Sequence, residues 1–545
     1  VSCAQLGTIN HTLLTVEAAQ SAGIDLIGLI LNGRSKKPSL AERTNPTVLK
    51  RQTGLDLFGV IPLVDRATNK KVQAAVVRSV QTKAVLKATT TYRQTQKQRA
   101  KRLAQEDQRL IWHPFTQMKE WENPLVMTDA KGNYLKSAQG KWYLDGVSSL
   151  WVNVHGHRHP AIDAAIRKQL GKMAHSTLLG LSGEPSVKLA RELIEIAPKG
   201  LKKVFFSDNG STAVEVALKM AYQYWQQNGH PKKKTFIRFE NAYHGDTLGS
   251  VSVGGIDLFH EVYHQLLFPT IQLPSPYCYR CSHGRKYPAC GKESIEKLKQ
   301  VLKKKSHQIA AVVVEPGMQA AAGMILEPKG WLSEIRRLTQ KHNVLLIVDE
   351  VAMGFGRTGK MFASDHEKVT PDLMAVAKGL TAGYLPLAAT LTTQRIYDGF
   401  LGDYQECRTF FHGHSYTGNA LGCAAALENL QIFKRERLLK KIQPKIKLLK
   451  QELSKLKPIP AVGDIRQLGL VVGIELVQDK QKGIPYPWEE KIGIKVCEEV
   501  RRYGIILRPL GHVVVLFPPL SITQKEIRHL VRSVGKAISD VTSRD

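Results

Sequence analysis

The chain has 545 residues with 78 Lys and Arg against 47 Asp and Glu, a net charge of +31, and it is 43% hydrophobic and 23% charged. Those values exclude a disordered or collagen-like polymer and leave room for several folding units of ~150 residues, each with a large core. Seven cysteines are too few and too scattered for a secreted disulfide framework, no run of about 18 apolar residues occurs, and the start lacks a signal-peptide layout, so a cytoplasmic protein with no membrane partner is expected.

In chain order, residues 1–64 read as a small α/β piece: a helical stretch over 11–22, a strand over 26–31, a polar segment, and a strand over 57–61 ending at Pro62. Two strands and one connection cannot close a core alone. The chain opens on Val1 and runs almost directly into a helix, as a segment continuing from upstream sequence would. Residues 65–105 are expected to be a basic linker or an exposed helix. Between Arg66 and Arg109, twelve Lys and Arg stand against Glu106 and Asp107, with one tyrosine and no Phe or Trp. A nucleic-acid reader needs aromatics for stacking among its basic residues, so a solvated surface is expected and nucleic acid is disfavoured as a partner.

From about Asp107 onward, apolar runs such as Ala310–Val314 and Val344–Val348 alternate with amphipathic helices, which predicts a mostly parallel sheet covered by helices. Lys434–Lys457 has helical spacing, and Pro444 is expected to kink or divide it. Leu470–Leu476 and Val513–Leu516 read as strands in a final α/β portion.

Two strand ends carry chemistry. The run Val344–Val348 stops at Asp349-Glu350 before Gly354-Phe-Gly-Arg-Thr-Gly359, and Leu373–Ala377 stops at Lys378-Gly379. Carboxyl ends of parallel strands are where open α/β sheets bind ligands. Singly, each has a plain explanation as a helix cap or a solvated lysine. Together they suit a lysine that loses its proton among apolar residues and attacks an aldehyde, with an acid that keeps a pyridine nitrogen protonated. Val204-Phe-Phe-Ser-Asp-Asn209-Gly210-Ser211-Thr212 is a strand, a polar turn and a helix start, which suits a phosphate or simply an N-cap. Tyr243-His244-Gly245 puts an aromatic beside a tight turn, for ring stacking or for the core.

The ordered set Asn209-Gly-Ser211, Tyr243-His-Gly245, Glu315-Pro-x-x-Gln319, Asp349-Glu-Val351, Gly354–Gly359, Lys378-Gly379 and Thr417-Gly-Asn419 resembles the class III pyridoxal phosphate aminotransferases. Trp112–Met118, Asp145–Trp151, Val154–His157, His412–Asn419 and Leu507-Arg508-Pro509 resemble the branch of that class that serves biotin synthesis. The match spans residues from about 107 to the end. It implies an aspartate-aminotransferase-like fold, fold type I, with a small domain from 106–147 and 434–545 around a large cofactor domain, 148–433. It also implies a homodimer and transamination of 8-amino-7-oxononanoate to 7,8-diaminononanoate with pyridoxal 5'-phosphate, by ping-pong kinetics.

By this resemblance Lys378 carries the cofactor and acts as base, Asp349 pairs with its ring nitrogen, and Tyr243 and Val351 flank the ring. Gly210 and Ser211 hold the phosphate, with Ser415 reaching it from the neighbouring subunit, and Gln319 bonds the phenolic oxygen. Arg508 clamps the substrate carboxylate through two parallel bonds, while Trp151 and Gly413 line the substrate space. Members that use S-adenosylmethionine often carry Tyr at the position of Phe115 and Trp at that of Leu150, so the amino donor is S-adenosylmethionine or lysine. Another class III aminotransferase, acting on ornithine or 4-aminobutyrate, is the competing reading.

Gly7-Thr-Ile-Asn-His11, Gly28–Asn32 and Phe58–Pro62 resemble the carboxyl-terminal part of dethiobiotin synthetases, which implies a partial P-loop-type segment. No G-x-x-x-x-G-K-[ST] loop occurs in these residues, so no ureido-ring closure is expected of them. Cys278-x-x-Cys281 with His283 and Cys290 has zinc-like spacing at one end only, so an irregular loop with free thiols and no metal is expected.

Overall fold

A computed structural model describes residues 7–21, 25–64, 67–281, 284 and 292–543, with the backbone of the strand Ser2–Cys3. The chain divides into two units, residues 1–129 with 135–142, and residues 130–134 with 143–545. Among the described residues no helix is long and apolar enough to cross a membrane.

In the first unit, Ser2–Cys3, Leu29–Arg34 and Leu57–Pro62 form a three-stranded parallel sheet with Leu29–Arg34 central. Thr8–Ser21 is helical, as expected. The polar segment is not a loop but a second helix, Leu40–Thr53. Ser39 Oγ accepts from the Glu42 N–H at 3.2 Å and the Glu42 carboxylate accepts from the Ser39 N–H at 2.8 Å, which satisfies two donors that a helix start leaves free. The S-x-x-E spacing is the signal that finds this helix. Among the described residues the buried hydrophobic core of this sheet is small: a cluster of Val16, Leu29, Leu31 and Leu49, with Phe58 and Ile61 on the third strand. The basic stretch is helical rather than an irregular linker, over Asn69–Ser79 and Thr82–Leu110, and Ala100 is its one buried residue.

The second unit is built on a seven-stranded sheet in the order Leu201–Ser207, Ala388–Thr393, Leu373–Val376, Leu345–Asp349, Ile309–Val314, Thr235–Phe239, Thr270–Leu273. All neighbours are parallel except the two made by Ala388–Thr393. Every residue of Ile309–Val314, Leu345–Asp349 and Leu373–Val376 is buried, which is why these strands read as unbroken apolar runs. A smaller antiparallel sheet takes Val462–Leu468, Val471–Leu476, Val513–Leu516 and Arg508–Leu510. Ile505 and Ile506 pair with Leu144 and Asp145, so residues distant in sequence meet in one sheet.

Pro444 neither ends nor divides its helix, which runs unbroken over Leu438–Ser454. A proline inside a helix costs about 3 kcal/mol, and burial of Leu438, Ile442, Leu449 and Leu453, at roughly 1.5–3 kcal/mol each, outweighs it. The break falls at Arg437, whose φ is 49°.

Candidate active site

The strands Leu345–Asp349 and Leu373–Val376 run parallel with Asp349 opposite Ala375, so Asp349 and Lys378 emerge at the same edge of the sheet. Lys378 has φ 44°, a left-handed conformation that a side chain disfavours. Its Nζ lies 4.9 Å from the centre of the Trp151 ring. Burial lowers the Lys378 amine below the ordinary lysine value, against the pull of Asp349 and Glu315, which favour its proton.

Asp349 is fixed from two sides. Its Oδ2 is 2.8 Å from His244 Nδ1, and its Oδ1 accepts from the Val351 N–H at 3.0 Å. Burial pulls the His244 imidazole down, but its bond to Asp349 and the charges of Asp349 and Glu315 outweigh that and raise it. The Glu315 carboxylate accepts from the N–H groups of Tyr243 and Ala320, each at 2.9 Å, and burial pushes it up to about 7. Tyr243 Oη donates to Asp246 at 2.7 Å.

Opposite these groups the helix Gly210–Gln227 begins, capped by Asn209 Oδ1 accepting from the Thr212 N–H at 3.1 Å. Two glycines keep this end open. A Cβ on Gly210 would lie 2.5 Å from Val351 Cγ1, and one on Gly245, whose φ is 118°, would overlap the Ser211 hydroxyl. Ser211 Oγ is 3.0 Å from Thr247 Oγ1, which orients it at the helix start. The first N–H groups of a helix and a hydroxyl beside them suit an anion.

Trp151 ends a run of four left-handed residues, Ser148–Trp151, with φ of 51°, 48°, 71° and 68°. Each such residue costs roughly 1–2 kcal/mol, so the run needs support. Asp145 supplies it at one end, accepting from the Ser149 N–H at 2.9 Å and hydroxyl at 2.8 Å. At the other, the buried Arg357 guanidinium donates to the Trp151 carbonyl at 3.5 Å and is itself anchored on the carbonyls of Asn153 at 2.5 Å and Pro518 at 3.0 Å.

Of the residues singled out by sequence, Lys378, Asp349 and Tyr243 line one cavity of about 440 Å³, together with Gly210, Ser211, Val351 and Trp151. Four others do not. The Gln319 amide is engaged elsewhere, donating to the Glu240 carbonyl at 2.8 Å and accepting from Ser275 at 2.5 Å, so it does not reach the cavity as expected. Gly413 and Ser415 lie off the lining, although His414 beside them is 3.2 Å from Asp208 next to the helix start. Arg508 sits on its strand opposite Val515, half-buried, outside the lining. His244, Glu315, Asp145 and Arg357 stand inside the quoted motifs, and nothing in their spacing told supporting groups from bystanders.

Cys278 is disulfide-bonded rather than free, and Cys281 is a free thiol. Cys290 and His283 lie outside the described residues. Among the described residues no three His, Cys, Asp or Glu side chains are grouped as metal ligands.

The family model described as aminotransferase class III matches residues 116–538, and one described as an AAA domain matches residues 1–71. The chain is 55% identical over 439 residues to the adenosylmethionine-8-amino-7-oxononanoate aminotransferase of Geobacter sulfurreducens, covering 80% of this chain and 97% of that protein. The crystal structure of the enzyme of that name from Methanocaldococcus jannaschii superposes with a TM-score of 0.77 at 45% identity, covering 81% of this chain and 99% of the other. An amine transaminase from an uncultivated Pseudomonas species, solved in a PLP-bound form, superposes with a TM-score of 0.76 at 35% identity, covering 79% and 99%.

Proposed function

Since the chain belongs to the class III aminotransferase family, we infer that it transfers an amino group to 8-amino-7-oxononanoate, making 7,8-diaminononanoate for biotin synthesis. We propose that its cavity holds pyridoxal phosphate. The fit is supported by the two glycines whose Cβ atoms would collide there, by the helix start, and by a carboxylate held ready at Asp349. Bound pyridoxal phosphate supplies an aldehyde for amines to condense with and a ring that accepts electrons from the adjoining carbon.

The chain's own residues do the rest. The Lys378 amine, whose proton burial disfavours, would tether the cofactor, and once released would take the α-proton of the donor and return it to the cofactor's aldehyde carbon. Asp349, pinned by His244 and the Val351 N–H, would keep a proton on the ring nitrogen. Tyr243 and Val351 would flank the ring, the N–H groups of Gly210 and Ser211 with the Ser211 hydroxyl would hold the phosphate, and Trp151 would wall the substrate space. Beyond the backbone pairing of its strand, the Arg508 side chain makes no hydrogen bond or ion pair among the described residues, which supports a free guanidinium for the substrate carboxylate. The positions of Gly413 and Ser415, off this chain's own lining, are consistent with a second copy supplying them and with a homodimer as the working unit.

The observation that carries this reading is one cavity lined by Lys378, Asp349 and Tyr243 at the start of a capped helix. We propose S-adenosylmethionine as donor, the one in the relatives' name. The test is a spectrum of the purified protein, followed by each candidate donor in turn. Bleaching by S-adenosylmethionine alone supports the proposal, bleaching by lysine alone moves the donor to lysine, and no cofactor band removes the reading. Borohydride reduction is expected to fix the cofactor to the peptide bearing Lys378.

A further inference from the structure

The strained residue Lys378 opens a tight turn, Lys378–Thr381, in which Gly379, Leu380 and Thr381 are buried. Gly379 packs under Phe355 so closely that a Cβ on it would lie 3.0 Å from the Phe355 Cβ. One side chain from another element bonds the turn: Asn429, on the helix Ala420–Arg435, donates from Nδ2 to the Gly379 oxygen at 2.9 Å, which also accepts from the Ala382 N–H at 3.1 Å, and to the Leu380 oxygen at 2.8 Å. Asn429 is fully buried, and both hydrogens of its amide are spent on this turn.

An amide turned over by half a rotation would set its oxygen against those two carbonyls, so something must hold it the right way round. His155 does this. Its Nε2 is 2.7 Å from Asn429 Oδ1. With the Asn429 nitrogen committed to two carbonyls, the oxygen is an acceptor, and His155 carries its hydrogen on Nε2. Burial pushes the His155 imidazole down to about 4, so it stays neutral at working pH and remains in this donor form. The ring is itself held edge-on by Phe433, with centres 5.4 Å apart.

We propose that Asn429, locked by His155, is a positioning residue for Lys378: it fixes the backbone from which the amine reaches both the cofactor and the substrate proton. The proposal rests on the reading of Lys378 as base. Neither Asn429 nor His155 lines the cavity, so substrate binding should not feel their loss. What should change is the direction of the amine. Misplacing a reacting group by about 1 Å costs on the order of 100-fold in rate.

The test uses the cofactor-loaded full chain. Asn429→Ala is expected to lower kcat about 10- to 100-fold with KM for both substrates changed less than about two-fold. It is also expected to shift the pH midpoint of the cofactor's absorbance measured without substrate. His155→Gln, whose amide can donate to the same oxygen, should keep kcat and the midpoint, whereas His155→Phe, which fills the space without a donor, should reproduce Asn429→Ala. If Asn429→Ala does not fold, the His155 pair decides alone. Equal damage from Gln and Phe at position 155, an unmoved midpoint, or a loss confined to KM would overturn the proposal. Should Lys378→Ala abolish turnover while these variants stay normal, only the positioning role falls; full activity in Lys378→Ala removes the underlying reading instead.

Discussion

The sheet of residues 2–62 and the sheet of residues 201–393 both use parallel strands joined through helices, yet they differ in what burial they can provide. The first has three strands over a core of six buried hydrophobic side chains among the described residues. In the second, three adjacent strands are buried along their whole length. That depth sets the chemistry. A lysine at the end of a shallow sheet stays hydrated and charged, while Lys378 stands where desolvation works against its proton and a fixed carboxylate waits beside it. The larger sheet also carries Lys378 and the Ser148–Trp151 run in left-handed conformations beside buried hydrogen-bonding side chains, with Asn429 bonding the next residue, Gly379, and Arg357 donating to the Trp151 carbonyl at 3.5 Å. Reactivity here is a property of the packing around a residue as much as of the residue.

The largest effect expected from that contrast is at the amine itself. Lys378→Ala should lower turnover by at least about 10⁴-fold, since it removes both tether and base, while leaving the melting temperature close to that of the parent. Measured side by side, a normal melt with lost turnover locates the reaction in the larger sheet; normal turnover would refute the assignment.

The same contrast explains what could be read from residues alone. Strands buried on both faces are unbroken apolar runs, so Asp349 and Lys378 were legible as strand ends, and the parallel sheet followed. Asp349, Lys378, Tyr243, Gly210, Ser211, Val351 and Trp151 came together in one cavity because their motifs are short and end at the sheet edge. Gln319 did not, because its amide has better partners in Ser275 and the Glu240 carbonyl, and such a choice depends on tertiary neighbours. Local signals misled where packing overrode them: Pro444 sits within an intact helix because four buried apolar residues hold it, and the polar segment 32–56 hid a helix marked only by Ser39 and Glu42. His155 and Asn429 are 274 positions apart in the chain, and no spacing rule could have joined them.

A smaller effect is expected at Arg508. Removing a guanidinium that clamps a carboxylate should raise KM for 8-amino-7-oxononanoate about 10- to 100-fold, with the amino donor's half-reaction nearly unaffected. Arg508→Lys keeps the charge without the paired bonds and should recover only part of the loss. Equal damage to both half-reactions would place Arg508 elsewhere in the mechanism.

The next effect is one of pH. Only the neutral amine condenses with an aldehyde, so uptake of pyridoxal phosphate by the cofactor-free protein should speed up as pH rises and level off above the Lys378 midpoint. Burial puts that midpoint below 10.5, the ordinary lysine value, and the negative charges of Asp349 and Glu315 hold it up against burial. Glu315→Gln removes one of those charges and should move the midpoint further down. A midpoint at or above 10.5, read from stopped-flow absorbance, would contradict the burial argument.

The smallest effect should come from removing the shallow sheet altogether. The aminotransferase match begins at residue 116, and the Geobacter relative is matched over 97% of its own length by 80% of this chain. Cutting the chain before Asp107 takes away the three strands and most of the exposed basic helices, none of which contributes a residue to the cavity. Steady-state kcat and KM should therefore stay within about two-fold of the full chain, as expected when a domain carries its own core. The cut also removes an excess of positive charge, so the shortened chain should bind a cation-exchange column less tightly without losing its cofactor. A drop in kcat of about tenfold or more, with cofactor still bound, would show that the small sheet supports the large one after all, and that depth of burial in residues 201–393 is not sufficient for the chemistry.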